Sequence, residues 1–344
     1  MVRVVMADDG IVFDGTTPER APLGGAEGAF VALAEGFAAR GHGVAVRNRC
    51  TAPVRHNGVD WAPLAAGDLP ARADLYIANR GHRLIGLVPA ARGVFWLHNP
   101  GRYLRKPRYV WPLLRHRPII VTTGAYHAAT VPWWLPSGGR VVIPYGVAAP
   151  FRVMRPPRTP PPPRAIFTSN PLRGLDWLLD LWVRRIRPAV PGAELHLYCG
   201  AAVYGHAGDA KAQQMAAVLG RAETLAAEGV RRHAPVPRAA LIAALEDARV
   251  MLYRGDAGET FCLALAEAQA LGVPAVVQNL GAVVERVIDG VTGTIAGDED
   301  SFVAAAVALL ADDALWRRRH EAALARQKGL SWEQAAERFE ALLL

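Results

Sequence analysis

The sequence predicts an α/β protein built from two doubly wound parallel-sheet domains. Short apolar runs alternate along the chain with amphipathic helical segments, which is the order expected of parallel strands with helices on both faces of the sheet. The clearest break in this alternation is a proline-rich stretch at residues 154–164, which leaves one series of elements on each side. At 344 residues the chain is long enough for two domains, each with its own core.

The first series of elements begins at the N-terminus. An apolar strand is predicted at residues 2–6, and the loop Gly24–Gly25–Ala26–Glu27 leads into an amphipathic helix over 27–40. Gly41–His42–Gly43 ends this helix, and a second strand follows at 44–46. Strand, loop, helix and strand in this order indicate a parallel sheet. Further apolar runs predict strands at 75–78, 94–97, 119–122 and 141–144.

The stretch MRPPRTPPPPR, residues 154–164, marks the predicted domain boundary. Proline runs enter neither a sheet nor a helix interior, and they form semi-rigid extended linkers. We therefore expect a first domain over 1–153 and a second over 165–330, with a last helix in 331–344. The second series predicts strands at 165–168, 194–198, 250–253 and 275–278, and helices at about 174–187, 238–246, 261–271 and 300–327.

The amino-acid composition is that of a globular protein, and its positive net charge favours anionic partners. Hydrophobic residues make up 51% and charged residues 20% of the chain, and the formal net charge is +8. The three cysteines lie far apart without CxxC spacing, which disfavours a zinc site and a disulfide framework and fits a reducing cytoplasm. The N-terminus lacks the pattern of a signal peptide, and no stretch has the length of a membrane span. We expect a cytoplasmic protein and, without an RNA-binding motif, no nucleic-acid partner.

Residues 258–277, GETFCLALAEAQALGVPAVV, carry the most informative chemistry in the chain. Glu259 stands in a loop just before an apolar helix that should be buried on all sides, and Glu267 interrupts that helix. A buried carboxylate is costly unless it is hydrogen-bonded, and a pair of sugar hydroxyls would supply two donors. The helix N-terminus offers free backbone N–H groups and a positive dipole, which suit a phosphate. The segment therefore predicts a nucleotide-sugar site.

The two glutamates and the trailing Gly272–Val273–Pro274 resemble the signature of the retaining glycosyltransferases of family 4. That family has the GT-B fold, in which two Rossmann-like domains face a central cleft and the last helix crosses back to the first domain. The resemblance implies that Glu259 contacts the transferred sugar and that Glu267 holds the nucleotide ribose. It also implies donor contacts at the start of the helix, from Thr260, Phe261, Cys262 and Leu263. The alternative is a solvent-facing Glu259 and a Glu267 that is salt-bridged inside an ordinary helix.

Two further loops of the second domain resemble donor-binding loops of the same family. After the first strand the family has two cations that grip the diphosphate, and Arg173 occupies the place of the second. Arginine binds phosphate bidentately, so this replacement of a lysine need not weaken the grip. The first cation is missing near Asn170, which is expected to be a donor-binding residue itself, and Arg254 or another cation would have to replace the missing charge. Gly281 and Ala282 resemble the glycine-rich turn that lies near the phosphates and sugar.

The first domain offers two candidate positions, Gly25 and His98. In the family the loop of Gly25 approaches the donor phosphate and the acceptor, and glycine lets backbone approach a ligand without a Cβ. His98 ends an apolar strand, where active sites of open parallel sheets lie, and it matches a family histidine that faces the sugar and acceptor. The alternatives are a plain tight turn and a structural histidine. Tyr145 replaces the asparagine of a family turn that closes the first domain, and we expect it to be structural.

Residues 102–118 mix six Arg or Lys with Tyr103, Tyr109 and Trp111, and Trp133 and Trp134 follow. Cations with interleaved aromatic rings suit the headgroup region of an anionic membrane. Several relatives in the family use this part of the first domain to reach a lipid-linked acceptor. The expected partners are therefore a nucleotide sugar, a glycan or lipid-linked acceptor, and an anionic membrane surface contacted through 102–118. A solvated basic face with tryptophans in the core is the alternative.

The catalytic residues expected from this resemblance are Glu259, His98 and Arg173. Arg173 and the helix N-terminus would stabilise the charge of the leaving diphosphate, while Glu259 orients the sugar. No Asp-x-Asp pair follows a predicted strand, so neither a metal nor a cofactor is expected besides the nucleotide-sugar substrate. The acidic run Asp298–Glu299–Asp300 is interpreted as negative charge at the N-terminus of a late helix.

Three other functions compete with glycosyl transfer. A nucleotide-sugar epimerase could have a similar two-domain shape, and a non-catalytic relative could keep the fold as a nucleotide- or membrane-binding module. A nicotinamide oxidoreductase is disfavoured because the spaced GxGxxG fingerprint is absent. The sequence leaves the base, sugar, acceptor and linkage open, although base recognition is expected from backbone around Cys199–Gly200 and His233–Val236.

Overall fold

The computed structural model describes residues 1–21, 23–200 and 211–344, and it divides the chain into two compact α/β units. The first unit comprises Met1–Gly146 and Leu330–Leu344, and the second comprises Val147–Gly329. Each unit contains one sheet with helices packed against it. The prediction of two parallel-sheet domains is confirmed. No helix in the described part of the chain is long and apolar enough to span a bilayer.

The sheet of the first unit has eight strands in the order β3-β4-β2-β1-β5-β6-β7-β8. All neighbours are parallel except β3 and β4, which form an antiparallel hairpin that the sequence pattern had not led us to expect. The central strands are apolar between polar residues near their ends, as expected of a sheet covered on both faces. The strands are β1 Arg3–Asp8, β2 Gly43–Asn48, β3 Val54–His56, β4 Val59–Pro63, β5 Ala73–Asn79, β6 Ala90–Trp96, β7 Ile119–Thr122 and β8 Gly139–Val142.

The described helices of the first unit are numbered here in chain order. The long helix α2 begins at Gly25, two residues before its predicted start, and ends where glycine was expected to stop it. The helices up to the boundary are α1 Thr17–Arg20, α2 Gly25–Ala39, α3 Pro107–His116 and α4 Ala125–Ala129.

The sheet of the second unit has six parallel strands in the order β11-β10-β9-β12-β13-β14. Its strands are β9 Arg164–Phe167, β10 Glu194–Tyr198, β11 Val230–His233, β12 Val250–Tyr253, β13 Ala275–Gln278 and β14 Gly293–Ala296. Its helices are α5 Ala149–Arg152, α6 Leu175–Leu181, α7 Arg187–Ala189, α8 Ala212–Thr224, α9 Arg238–Glu246, α10 Leu263–Ala270, α11 Glu299–Ala311 and α12 Asp313–Arg326. A π-helical turn at Trp182–Ile186 joins α6 to α7, so that the helix predicted over 174–187 is continuous. The helix predicted over 300–327 is two helices, because Asp312 caps a new start.

The proline-rich segment differs from the predicted free linker. The unit boundary lies at Gly146–Val147, before the expected boundary at residue 153. Within the second unit, the backbone N–H of Arg158 donates to His320 at 3.2 Å, and its guanidinium donates to the carbonyl of Glu246. The side chain of Arg155 forms an ion pair with Glu246 as well. These contacts fix the proline-rich segment on the second unit, although prolines keep it out of the sheet.

The last helix, α13 Trp332–Glu340, belongs to the first unit. The ring of Phe339 lies 5.5 Å from Trp96 between centroids, and Glu340 forms an ion pair with Arg40 at 2.6 Å. A Cβ at Gly36 would lie 2.7 Å from the carbonyl oxygen of Trp332. Glycine at this position of α2 therefore permits the close approach of the terminal helix.

Candidate functional site

The candidate donor site lies at the carboxyl edge of the second sheet. Strands β9, β12 and β13 are neighbours, so the loops that follow them meet at one edge. This is the edge at which open parallel α/β sheets bind ligands. The three loops carry Arg173, Glu259 and Gly281, which were predicted from separate parts of the sequence.

Glu259 is buried, with 7% of its surface exposed, and three groups hold its carboxylate. Arg173 forms an ion pair with Oε2, the Tyr253 hydroxyl donates to the same oxygen at 2.9 Å, and the Cys262 backbone N–H donates to Oε1 at 3.2 Å. The alternative of a solvent-facing Glu259 is therefore wrong. Burial alone would lower the pKa of Arg173, but the charge of Glu259 outweighs it and raises that pKa. The pair is a preorganised charged unit.

Helix α10 begins beside this pair and has an open N-terminus. Its N-cap residue, Cys262, has a φ of 65° and makes no side-chain cap. Because this left-handed conformation cannot belong to a helix, α10 starts at Leu263 and not at Phe261 as predicted. The side chains of Thr260, Phe261 and Cys262 are buried, so these predicted donor contacts could be made only through backbone.

Glu267 lies about one turn into α10 and is half-buried. Burial raises the pKa of its carboxyl group from 4.5 to about 7, and the positive charge of Arg238 opposes this rise. In the described ranges no side chain or backbone group forms a hydrogen bond or an ion pair with this carboxyl group. The alternative of a salt-bridged Glu267 is therefore not found among the described residues. A ligand with hydroxyl groups would donate the hydrogen bonds that this desolvated carboxyl group lacks among the described residues.

The loop after β13 braces the loop of Glu259. Gly281 has a φ of 72°, and a Cβ there would overlap the carbonyl oxygen of Asp256 and lie 3.0 Å from that of Glu259. The backbone N–H of Ala282 donates to the Glu259 carbonyl at 3.0 Å. Gly281 and Ala282 thus lie beside Glu259, and the close contacts at residue 281 require glycine there.

The loop after β9 is shaped by Asn170. The Asn170 side chain accepts from the N–H of Leu172 at 2.9 Å, and its carbonyl accepts from the N–H of Arg173 at the same distance. These bonds form a turn that presents Arg173 to Glu259. Arg254 lies beside this loop, but its guanidinium stands 5.1 Å from the ring of Trp177 and its Nε donates to Gln278 at 3.2 Å.

The two segments expected to recognise the base meet at the β10–β11 edge. The rings of Tyr198 and His233 stack 4.4 Å apart at 8°. A Cβ at Gly200 would lie 3.1 Å from the Pro235 ring, so glycine permits this contact. The chain after Gly200 lies outside the described residues until 211.

In the first unit, the ring of His98 is buried and both of its nitrogens are hydrogen-bonded. Nε2 contacts Asn79 Oδ1 and Nδ1 contacts the Tyr145 hydroxyl. The Asn79 amide donates to Asp8 at 2.5 Å, which turns its oxygen to His98 and assigns the proton to Nε2. Burial lowers the pKa of His98 well below its usual value, with Arg80 adding to the effect. The ring is therefore neutral, and in this conformation neither nitrogen faces a substrate.

Gly25 opens α2 in the first unit, and a Cβ there would have no described atom within 4 Å. Glycine at this position is thus not required by the described fold, in contrast to Gly281. The acidic run 298–300 has the structural role that we expected, since Asp298 caps α11 by accepting from Ser301 N–H at 2.8 Å.

The segment 102–118 forms a short 3-10 helix followed by α3, and one face of it carries exposed apolar side chains. Trp111 is 70% exposed and Trp133 is 87% exposed, so the alternative that places these tryptophans in the core is wrong. Leu104 and Leu113 pack with Val131 and Leu135 in one core cluster, which places the two segments side by side.

Comparisons with known proteins agree with the α/β fold. Residues 163–312 match the family model described as Glycosyl transferases group 1. Sucrose-phosphate synthase (tll1590) from Thermosynechococcus elongatus is similar in structure, with a TM-score of 0.73 and 17% identity over 99% of this chain and 98% of that chain. The chain has the GT-B fold.

Two other GT-B structures extend the comparison. Anabaena Alr3699/HepE in complex with UDP-glucose has a TM-score of 0.71 and 16% identity over 100% of this chain and 99% of that chain. WaaG, a glycosyltransferase involved in lipopolysaccharide biosynthesis, has a TM-score of 0.68 and 12% identity over 98% and 99% of the two chains. A search of curated proteins finds no match.

Several residues of this GT-B chain were not predicted from the sequence. Tyr253 donates to Glu259, and Asp8 and Asn79 orient His98. Arg286, in the loop after β13, stands over the ring of Phe261. A tyrosine or polar residue at the end of an apolar strand is the signal that could have found the first three, since such ends point to the ligand-binding edge.

Proposed function

We propose that the protein is a retaining glycosyltransferase that moves a sugar from a nucleotide-diphosphate sugar to an acceptor hydroxyl. The observation that carries this proposal is the ion pair of half-buried Arg173 with buried Glu259 beside the uncapped N-terminus of α10. The carboxyl group of Glu267, which has no partner among the described residues, lies on the same helix. The match of residues 163–312 to Glycosyl transferases group 1 supports the same assignment.

The donor is proposed to bind along α10. The diphosphate takes the helix N-terminus, where backbone N–H groups and the helix dipole favour an anion. Glu267 accepts hydrogen bonds from the ribose hydroxyls, and Glu259 accepts from hydroxyls of the transferred sugar. Arg173 has five N–H donors, so it can keep its bond to Glu259 while it binds a phosphate oxygen. Anabaena Alr3699/HepE, one of the similar structures, is a complex with UDP-glucose, which makes UDP-sugars the first donors to test.

In the proposed reaction, the bond between the anomeric carbon and the phosphate oxygen breaks, and the acceptor oxygen bonds to that carbon on the same face. The acceptor proton leaves with the departing diphosphate. The barrier falls because Arg173 and the α10 N-terminus stabilise the charge that develops on the diphosphate. These groups are positive without a metal ion, so we propose that the transfer is metal-independent. We also propose that the transferred sugar is a hexose, because the similar Anabaena Alr3699/HepE structure is a complex with UDP-glucose.

Product analysis tests this function. The protein is incubated with UDP-glucose and other nucleotide sugars, with and without glycan acceptors and EDTA, and the products are followed by NMR. We expect a nucleoside diphosphate and a glycoside whose anomeric configuration equals that of the donor, formed equally in EDTA. Arg173→Ala should lower the rate by two to three orders of magnitude, roughly the effect of losing one preorganised charge donor. An epimerised donor without glycoside would contradict the proposal, as would an inverted product.

We further propose that the acceptor is lipid-linked or a cell-surface glycan and that the first unit contacts an anionic membrane. The contact region is the basic-aromatic surface, defined as Arg102, Arg105, Lys106, Arg108, Trp111, Leu114, Arg115, Trp133 and Trp134. All nine side chains are exposed. None of its five cations forms an ion pair with an acidic side chain of the described residues. Unneutralised cations around exposed indole rings suit anionic headgroups.

Vesicle sedimentation tests the membrane contact. We expect binding to vesicles that contain phosphatidylglycerol, little binding to pure phosphatidylcholine, and release at high salt. Arg108→Glu should weaken binding about tenfold or more, because each surface cation contributes about 1 kcal/mol and the change reverses one. Arg184→Glu, on the exposed face of the other unit, is the matched control. Equal effects of the two reversals would contradict this assignment.

A further inference from the structure

Among the described residues, the contacts of the donor site given above include one cation, whereas a diphosphate needs more positive charge. Arg173 is that cation, and it is already paired with Glu259. Around Asn170, where a second cation was sought, the loop supplies Thr168, Ser169 and Asn170, none of which is charged. A second positive group close to the α10 N-terminus is therefore the missing part of the site.

Arg286 lies at this place. Its guanidinium carbon is 4.3 Å from the centroid of the Phe261 ring, and Phe261 directly precedes the N-cap of α10. Arg173 reaches the same turn from the other loop, since its partner Glu259 also accepts the backbone N–H of Cys262. The two guanidinium groups thus contact residues on either side of Thr260.

The Cys262 thiol lies within the electrostatic range of both arginines. Burial raises the pKa of this thiol and the charge of Glu259 adds to the rise, while Arg173 and Arg286 both oppose it. Two cations from different loops therefore act on one point, the N-cap of α10, where the helix dipole is also positive.

Arg286 has hydrogen-bonding capacity that the described residues do not use. Its side chain is 17% exposed and its Nε is buried without an acceptor in the described ranges. One terminal nitrogen donates to the neighbouring Glu285 at 3.1 Å, and the other has no acceptor there either. The terminal nitrogen without an acceptor among the described residues is the one that could donate to a phosphate oxygen.

We propose that Arg286 is the second cation of the diphosphate site and, with Arg173, binds the two phosphates of the nucleotide at the N-terminus of α10. This inference rests on the proposed function. Arg254, the other candidate, is held by Gln278 and Trp177 and stands beside Gly174, at the start of a different helix. It is the natural comparison residue because it is also a half-buried arginine of this edge.

Calorimetric titration with a nucleoside, its monophosphate and its diphosphate tests the assignment. The series is made with uridine, UMP and UDP, and with the guanosine and adenosine series, on the wild type, Arg286→Gln and Arg254→Gln. Binding of a diphosphate to the wild type tests the proposed function. The role of Arg286 is tested by the increase in affinity from nucleoside to diphosphate, which is compared between the wild type and each variant. We expect Arg286→Gln to weaken diphosphate binding tenfold to a hundredfold, roughly the loss of a charged hydrogen bond, with nucleoside affinity unchanged. Arg254→Gln should leave the whole series unchanged.

Four outcomes would overturn the inference. Equal diphosphate affinity in the wild type and Arg286→Gln would do so, and so would an equal loss for nucleoside and diphosphate, which is the mark of a structural role. A phosphate-dependent loss in Arg254→Gln alone would transfer the role to Arg254. If the wild type binds no nucleoside diphosphate, the proposed function fails and takes this inference with it. If Arg286→Gln does not fold, Arg286→Lys replaces it, and a several-fold loss confined to the phosphates is expected because lysine keeps the charge without the bidentate geometry.

Discussion

Replacing the carboxyl group of Glu267 by an amide is expected to raise the stability of the protein and to weaken nucleotide binding. The pKa of this carboxyl group is about 7 in the folded protein against 4.5 for an ordinary glutamate, because burial disfavours the charged form. This difference in pKa corresponds to about 3 kcal/mol between the protonation states. The folded state keeps the proton between pH 4.5 and 7 while the unfolded chain loses it, so the stability falls across this range and is lowest above pH 7.

Glu267→Gln removes this dependence. The amide has no proton to lose, so we expect the variant to be about as stable as the wild type near pH 5 and up to about 3 kcal/mol more stable at pH 8. Urea unfolding of both proteins at pH 5, 6, 7 and 8 measures the difference in their unfolding free energies. The contributions of all other titrating groups are the same in both proteins and cancel in this difference. Glu321→Gln, at an exposed position of α12, is the control for the substitution of a carboxyl group by an amide.

The same variant should bind nucleoside diphosphate more weakly, because the amide offers the ribose hydroxyls one neutral acceptor oxygen in place of a carboxylate. A gain in stability with a loss of binding is typical of a residue kept for function. The reasoning is refuted if the stability difference between Glu267→Gln and the wild type is the same at pH 5 and pH 8. It is also refuted if the variant binds the nucleotide as tightly as the wild type.

The remaining predictions concern the hydrogen bond of His98 and two glycines. Tyr145→Phe removes the hydroxyl that donates to the buried Nδ1 of His98. We therefore expect the unfolding free energy to fall by about 1–3 kcal/mol and the ¹⁵N chemical shift of Nδ1 to change. An unchanged ¹⁵N spectrum would contradict the assigned hydrogen bond. Gly281→Ala forces a Cβ against the Asp256 carbonyl at positive φ, so we expect at least about 1–2 kcal/mol of destabilisation and weaker nucleotide binding. In Gly25→Ala the new Cβ contacts no described atom, so the melting temperature should be unchanged. The rate of glycosyl transfer should fall if the loop of Gly25 approaches the substrate. A destabilised Gly25→Ala would show that the glycine is structural.

Local patterns in the sequence were sufficient to predict most strands of the two sheets and the donor helix, although β11 and β14 were not predicted. All the predicted strands are present, because parallel strands buried on both faces are continuous apolar runs. The hairpin of β3 and β4 was missed although Asn57–Gly58, a strong hairpin-turn signal, joins its strands at positive φ. The break between α11 and α12 was missed as well, although Asp312 is a favoured N-cap residue and accepts from two backbone N–H groups.

The partners of the site residues could not be predicted, because they lie far apart in the sequence. Glu259 was predicted to contact the sugar and Arg173 the diphosphate, yet their ion pair joins loops that only the sheet order makes adjacent. His98 was placed correctly at a strand end, but nothing in its neighbourhood indicates that Tyr145 occupies one of its nitrogens. Arg286 has no motif of its own, and only its position over Phe261 draws attention to it.

Binding of nucleoside diphosphates is the most direct test of the donor site. UDP, GDP, ADP, CDP and dTDP are titrated calorimetrically into the wild type and Glu267→Ala, with Glu321→Ala as the exposed control. We expect one of them to bind at micromolar strength and Glu267→Ala to weaken that binding by about 1.5–3 kcal/mol, the contribution of a hydrogen bond to a charged group. If none binds to the wild type at millimolar concentration, the α10 region is not a nucleotide-sugar site and the central claim is wrong.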